Sequence, residues 1–226
     1  MIRAVIFDMF ETLITHFQSP LYFGAELAQD AGIPEEEFLA LWQPTESDRT
    51  VGALTLEETL EMILRKCDRY SDALLQKMVA KRIAAKEECF RHLHPEILPM
   101  LSELKKHGYL IGLISNCYSE EAPVIRQSAL FPYFDAACLS YEQGVQKPEA
   151  EIFHRCTKML GVRAKECLYV GDGGSYELET ARRLGMTAAQ AVWYLRENTS
   201  QPSGRKPEFA QLETPLAVIS SALPYI

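Results

Sequence analysis

The sequence predicts an α/β protein: a doubly wound parallel sheet with a smaller all-helical domain inserted near its start. Three observations predict it. Short apolar runs lack polar alternation, as strands covered on both faces do. Helical patterns separate those runs, which is the arrangement that a parallel sheet with crossover helices requires. One long stretch near the N-terminus has helical spacing throughout and no strand signal.

The first strand is expected at Ala4–Phe7, the second at Leu110–Ile114 and a third at Cys167–Val170. Each is followed by a small or polar cluster, where ligands collect in open α/β sheets. Glu96–His107 carries Ile97, Leu98, Leu101 and Leu104 at helical spacing, with Gly108 placed to end it. Pro148–Leu160 reads as a helix with proline in its first turn, and Tyr176–Leu184 as another. A weaker strand, Ala188–Tyr194, precedes a Pro/Ser/Gly-rich loop, "ENTSQPSGRKPEF", and a short final helix or turn. From about Ser19 to Phe90 the apolar residues recur at helical spacing: Phe38, Leu41 and Trp42, then Leu56, Leu60 and Ile63. The expected division is a core of residues 1–18 and 91–226 and a helical lid, or cap, of residues 19–90, closing over the sheet's carboxyl edge.

Bulk properties narrow the function. With 226 residues, 47% apolar and 24% charged, the chain has the composition of a well-packed globular protein. A net charge of -8 argues against nucleic acid or an anionic membrane as partner, while a local basic pocket for a small anion stays open. Asp8 and Glu11 interrupt the first apolar run, so no signal peptide is expected, and no stretch reaches the roughly 18 apolar residues of a membrane span. The six cysteines form no C-x-x-C pair, which fits reduced thiols in the cytoplasm.

Four polar clusters carry the chemistry. Asp8 and Thr12 follow the first strand, Ser115 and Asn116 the second. Lys147 precedes a helix, and Asp172 and Glu177 follow the third predicted strand. If these strands are parallel neighbours, all four clusters face one crevice. A strand-end carboxylate can attack phosphorus or carbon. A hydroxyl, an amide and an ammonium can hold an anionic group. Two further carboxylates suit Mg²⁺, which prefers oxygen ligands.

Together the clusters, "DMFET", "ISN", "QKPE" and "GDGGSYE", resemble the four motifs of the haloacid dehalogenase-like (HAD) hydrolase superfamily, in order and over most of the chain. The helical insert is similar to that family's smaller cap. The resemblance implies a hydrolase with Asp8 as nucleophile and metal ligand, and with Thr12, Ser115 and Asn116 around the phosphoryl group. It implies Lys147 paired with the nucleophile, Asp172 as a further metal ligand and Glu177 holding metal-bound water. Phe10 is the departure. In the family's phosphatases the side chain there is a general acid, whereas its backbone carbonyl binds the metal, and Phe10 keeps only the carbonyl.

The expected activity is therefore a Mg²⁺-dependent phosphatase for a small phosphorylated metabolite, working through an aspartyl-phosphate. Leaving groups that need no proton, such as that of an acyl phosphate, should suffer least from Phe10. Alternatives are a metal-independent 2-haloacid dehalogenase, in which aromatic residues occur at this position, and a weakened phosphate-binding protein. Phosphonate hydrolysis would need a cap lysine, for which Lys66 and Lys77 are available. Glu11 is a poor replacement acid, since neighbouring strand-end residues point differently. Arg49 is a candidate contact for an anionic substrate, weighed against an ordinary surface arginine. His16 reads as a solvated hinge residue and Trp42 as core. His92 and His94 suit the return linker. The expected state is monomer or homodimer.

Overall fold

The computed structural model describes residues 1–196 and 204–223. Six parallel strands form one sheet: β1 (Ala4–Phe7), β2 (Leu110–Ser115), β3 (Ala136–Leu139), β4 (Cys167–Gly171), β5 (Thr187–Ala191) and β6 (Ala210–Leu212). Their order is β3-β2-β1-β4-β5-β6, so the winding direction reverses between β1 and β4. A crevice opens at the carboxyl ends of the strands at such a point. Register places Ile6 opposite both Gly112 and Tyr169, which brings the ends of β1, β2 and β4 level.

The apolar runs are buried on both sides because alternate residues feed different cores. Val5 and Phe7 pack with Ile97, Leu101 and Leu104, while Ala4 and Ile6 pack with Ile152, Phe153 and Cys156. Truncating a buried aromatic such as Phe7 or Phe153 to alanine costs about 3–5 kcal/mol.

Helices α1 (Gly24–Ala31), α2 (Glu35–Trp42), α3 (Glu46–Thr50), α4 (Leu56–Lys66) and α5 (Asp72–Cys89) come between β1 and β2. Thr55 caps α4 and Ser71 caps α5 through hydrogen bonds from the backbone N–H groups of Glu58 and Leu74. These helices have their own core, centred on Leu27, Phe38, Leu60, Ile63 and Met78. Among the described residues no helix is long and apolar enough to cross a membrane.

The sheet is flanked by α6 (Ile97–Lys106), α7 (Glu121–Gln127), α8 (Ser140–Gln143), α9 (Ala150–Leu160), α10 (Glu177–Arg183) and α11 (Ala217–Ala222). The inserted helices dock on this framework through buried polar contacts. Arg82 pairs with Glu120 at 3.0 Å and Lys86 with Glu121 at 2.6 Å, all four side chains being buried. The Ser140 hydroxyl donates to the Thr50 carbonyl at 2.8 Å. Gly52 follows at φ +75°, and a Cβ there would lie 2.3 Å from the Tyr141 carbonyl oxygen, so only glycine permits this approach.

Three expectations need correction. The sheet also holds β3 and β6, neither of which the apolar pattern marks. The strand expected over Ala188–Tyr194 is Thr187–Ala191, because Trp193 and Tyr194 lie in a turn. There the Trp193 indole N–H donates to the Thr12 carbonyl, and the Tyr194 hydroxyl accepts from the His94 amide. The helix expected from Pro148 begins at Ala150. Asn116 grips the Lys147 backbone by donating to its carbonyl at 3.0 Å and accepting from its N–H at 2.8 Å, which pins the chain ahead of the helix. The predicted polar loop lies outside the described residues as far as position 203, and the short final helix is α11.

Candidate active site

Asp8 leaves the end of β1, and its amide donates to the Val170 carbonyl of β4 at 2.9 Å. The chain then turns sharply, with the amides of Leu13 and Ile14 both donating to the Met9 carbonyl. Asp172 follows β4, and Glu177 opens α10. One oxygen each from Asp8, Asp172 and Glu177 lies within 4.8 Å of the others, and all three residues are buried. Lys147 enters the group from the turn before α9. Its ammonium meets Asp8 Oδ1 at 2.5 Å and Glu177 Oε2 at 3.5 Å.

The loop after β4 is built around Glu177. Its Oε1 accepts from the Gly173 N–H at 2.8 Å and its Oε2 from the Ser175 N–H at 3.1 Å. A Cβ on Gly171 would stand 2.7 Å from Glu177 Oε1 and 3.1 Å from the Tyr169 ring, so glycine there lets the carboxylate approach. Asp172 Oδ1 accepts from the Gly174 N–H at 3.0 Å.

Three carboxylates face one ammonium, a surplus of negative charge in a buried site. Burial raises Asp8 to about 6; Lys147 opposes the shift and Glu177 adds to it. Asp172 is raised further, to about 8, by burial and by the charges of Glu177 and Asp8. Burial works against the Lys147 ammonium, but Asp8 and Glu177 outweigh it and hold its pKa above the ordinary value. A hard divalent cation matches an all-oxygen donor set of this charge.

A cavity of about 630 Å³ opens beside the group, walled by the sheet edge and the inserted helices. Asp8, Phe10, Asn116, Lys147, Asp172 and Arg49 all line it. Thr12, Ser115 and Glu177 are fully buried and not among the lining residues. Ser115 directs its hydroxyl to the Asn116 carbonyl at 3.3 Å. Among the described residues, Thr12 Oγ1 is buried with no hydrogen-bond partner.

The cavity corrects several side-chain expectations. Arg49 is no surface residue. It is 3% exposed, 3.7 Å from the Trp42 ring centroid and 4.6 Å from that of Tyr118. Trp42 accordingly serves both the helical core and the cavity wall. His16 is no solvated hinge residue, since its side chain is 14% exposed and lines the cavity. Its Nε2 lies 2.8 Å from the Lys86 ammonium. Burial and the Lys86 charge lower its pKa. Glu11, at φ +56°, accepts hydrogen bonds from the Thr15 hydroxyl and the His16 amide. Burial works to raise Glu11, but the hydrogen bonds from His16 and Thr15 prevail and hold its pKa below the ordinary value. A carboxyl kept ionised in this way is a poor proton donor.

Lys86, rather than Lys66 or Lys77, is the lysine that the inserted helices bring to the cavity, and Arg82 stands one turn before it. Their spacing of four puts them on one face of α5, but Lys77 and Lys81 share that spacing, so the sequence alone does not single them out. Gln190 is a further residue that the motifs do not reveal. Fully buried in β5, its amide donates to the carbonyls of Asp172 and Gly204, each at 2.8 Å, bracing the carboxylate loop. A lone glutamine inside "TAAQA" is its only trace.

With the fold and this geometry established, the comparisons with known proteins define the class. The family model for haloacid dehalogenase-like hydrolases matches residues 2–185. The chain belongs to this family, and is a hydrolase. Over 205 residues it is 27% identical to a glyceraldehyde 3-phosphate phosphatase from Methanopyrus kandleri, covering 84% of each chain. Among solved structures, a 2-haloacid dehalogenase from Pseudomonas syringae pv. Tomato is 23% identical, with 97% of each chain covered and a TM-score of 0.69. A HAD family enzyme from Bacteroides thetaiotaomicron, solved with magnesium and inorganic phosphate, is 19% identical. It covers 84% of this chain and 94% of its own, with a TM-score of 0.61. At such identities the structural likenesses establish the shared fold. The phosphatase name of the curated relative sets phosphatase ahead of dehalogenase.

Proposed function

We propose that this chain is a Mg²⁺-dependent phosphatase that hydrolyses a small phosphorylated metabolite through an aspartyl-phosphate on Asp8. The observation that carries the reading is the grouping of Asp8, Asp172 and Glu177 within 4.8 Å, with Lys147 at 2.5 Å from Asp8. Asp8, Asp172 and the Phe10 carbonyl would hold Mg²⁺, with Glu177 holding water on it. When bound, the cation neutralises charge on the transferring group and on the carboxylates.

In this account an Asp8 carboxylate oxygen attacks phosphorus as the bond to the leaving oxygen breaks, and the leaving group takes the electron pair. Water then attacks phosphorus, releasing phosphate and restoring the Asp8 carboxylate. Lys147 stabilises the charge on Asp8 and on the transferring group. The Thr12 hydroxyl, without a hydrogen-bond partner among the described residues, supports a role in donating to a phosphoryl oxygen, and Asn116 stands on the cavity wall to orient the group. Phe10 offers no proton. The reaction therefore favours a leaving group stable as an anion, such as the carboxylate of an acyl phosphate.

Residues 19–90 serve as the cap, and residues 1–18 and 91–226 as the core. The separate apolar core of the inserted helices and their place on the cavity wall support this division. Six free cysteines support a reducing compartment, the cytoplasm.

The test is phosphate release from an acyl, a sugar and an aryl phosphate, with Mg²⁺ and with chelator. Mg²⁺-dependent release, fastest from the acyl phosphate and lost in Asp8→Asn, is expected. Phe10 also favours a second reading, dehalogenation, since halide leaves without a proton. Chelator-resistant halide release from a 2-haloacid, with no phosphate release, would replace the first reading by the second.

A further inference from the structure

Four cations stand along the cavity wall: Lys147, Lys86, Arg82 and Arg49. Three of them have a carboxylate within ion-pair distance: Lys147 meets Asp8, Lys86 meets Glu121 and Arg82 meets Glu120. Arg49 has none among the described residues, although it is 3% exposed. Its Nε donates to the Thr45 hydroxyl at 3.0 Å, and the Trp42 and Tyr118 rings hold the guanidinium in place. Its Nη donors have no protein acceptor among the described residues.

A buried cation without a counter-charge is costly to maintain, and a ligand that supplies the charge recovers that cost on binding. A guanidinium with its outer fork free matches an anion presenting two oxygens in one plane. Because the rings and Thr45 already hold the side chain, little rotamer freedom is lost when the anion arrives. Charge decides between anions. Glu46 shares the cavity wall, and both it and Glu120 act electrostatically on Arg49. Glu120 is already paired with Arg82 and Glu46 is exposed, so the charge left to balance at Arg49 among the described residues is that of one guanidinium, which one negative charge matches.

We propose that Arg49 is a specificity residue that receives a carboxylate at the helical end of the cavity, making the substrate class phosphorylated carboxylic acids. This rests on the phosphatase reading for the phosphoryl end, at Asp8, while the carboxylate subsite rests on the geometry around Arg49.

The test uses the full chain with Mg²⁺ and ω-phosphooxycarboxylates of graded length, each beside its uncharged N-methylamide. At one length the carboxylate should exceed the amide in kcat/KM by at least about tenfold, mainly through KM. Arg49→Gln should bring that ratio close to one. Arg49→Lys, which keeps the charge without the fork, should fall between. Turnover without a carboxylate preference in the wild type overturns the subsite, whatever the variants do, and leaves the phosphatase reading standing. A stronger preference for a bisphosphate overturns the carboxylate class. If nothing turns over, the phosphatase reading fails, and the rise in melting temperature on adding each compound decides the subsite. A rise specific to the carboxylate and absent from Arg49→Gln supports it; no rise, or the same rise in both proteins, overturns it.

Discussion

The Phe10 ring stacks on the His16 imidazole, with ring centroids 4.6 Å apart and planes inclined by 15°. The stack closes the wall beside Asp8 with an apolar face at the position from which phosphatases of this family protonate the leaving group. His16 does not take over that task. Its Nε2 faces the Lys86 ammonium, its Nδ1 lies 3.4 Å from Glu11, and burial favours its neutral form.

Activity should therefore depend steeply on leaving-group acidity. Phe10→Asp restores a proton donor, and general acid catalysis is typically worth about 10²–10⁴ in rate. The variant should gain on poor leaving groups and little on an acyl phosphate, flattening a plot of kcat/KM against leaving-group pKa. Parallel plots for the two proteins would contradict this role for position 10.

Lys147→Met removes the one ammonium among three buried carboxylates. Breaking a buried pair by deleting one partner costs about 3–5 kcal/mol. Urea denaturation in chelator should show a loss of that order, partly recovered when Mg²⁺ replaces the missing positive charge. A stability unchanged in chelator would mean that the ammonium balances nothing there.

Much of this site was legible because its residues follow strands that announce themselves. "AVIF", "LIGLI" and "CLYV" are unbroken apolar runs, and the polar residue after each is conspicuous. Strand β3, "AACL", is too poor in branched residues to stand out, and β6, "AQL", is also too short; only pairing with a neighbour makes them strands. Arg49 was legible as a candidate anion contact, but its burial was not. Trp42, seven residues earlier on a helical pattern, was a hint, but Tyr118 comes from beyond the whole helical insert. Its burial is a tertiary fact. So is the stacking of Phe10 on His16, which turns a hinge histidine into part of the cavity wall.

The metal-free site should be sensitive to pH. Asp8 rises from 3.8 to about 6 and Asp172 from 3.8 to about 8. Carboxyls raised on folding stabilise the fold fully below their unfolded pKa, and that contribution fades as pH rises through the folded values. Mg²⁺ should offset the loss by binding the ionised forms. The difference in melting temperature between Mg²⁺ and chelator should thus be larger near pH 9 than near pH 5, roughly following the ionisation of the pair. Comparing the two conditions at each pH cancels groups remote from the site. An equal difference at both would contradict metal binding by these carboxylates.

Gly171→Ala should damage the site without touching substrate. The new methyl would press on Glu177 Oε1 and the Tyr169 ring, both fully buried. Overpacking of this kind costs about 1–3 kcal/mol. If Glu177 holds metal-bound water as proposed, displacing it should weaken Mg²⁺ binding by about tenfold or more. Titration calorimetry with Mg²⁺ reads the second effect, and an unchanged affinity would show that Glu177 does not contribute to holding the cation.

The central claim is that Asp8 attacks phosphorus and that water then attacks the same phosphorus. A single turnover in water carrying a heavy oxygen isotope, with mass spectrometry of both products, tests it most directly. Label is expected in the released phosphate and none in the peptide containing Asp8, with the reaction absent from Asp8→Asn. Label retained in the Asp8 carboxylate, with unlabelled phosphate released, would instead mean that water attacked the carbonyl carbon of the intermediate, as in a dehalogenase, and would contradict attack at phosphorus.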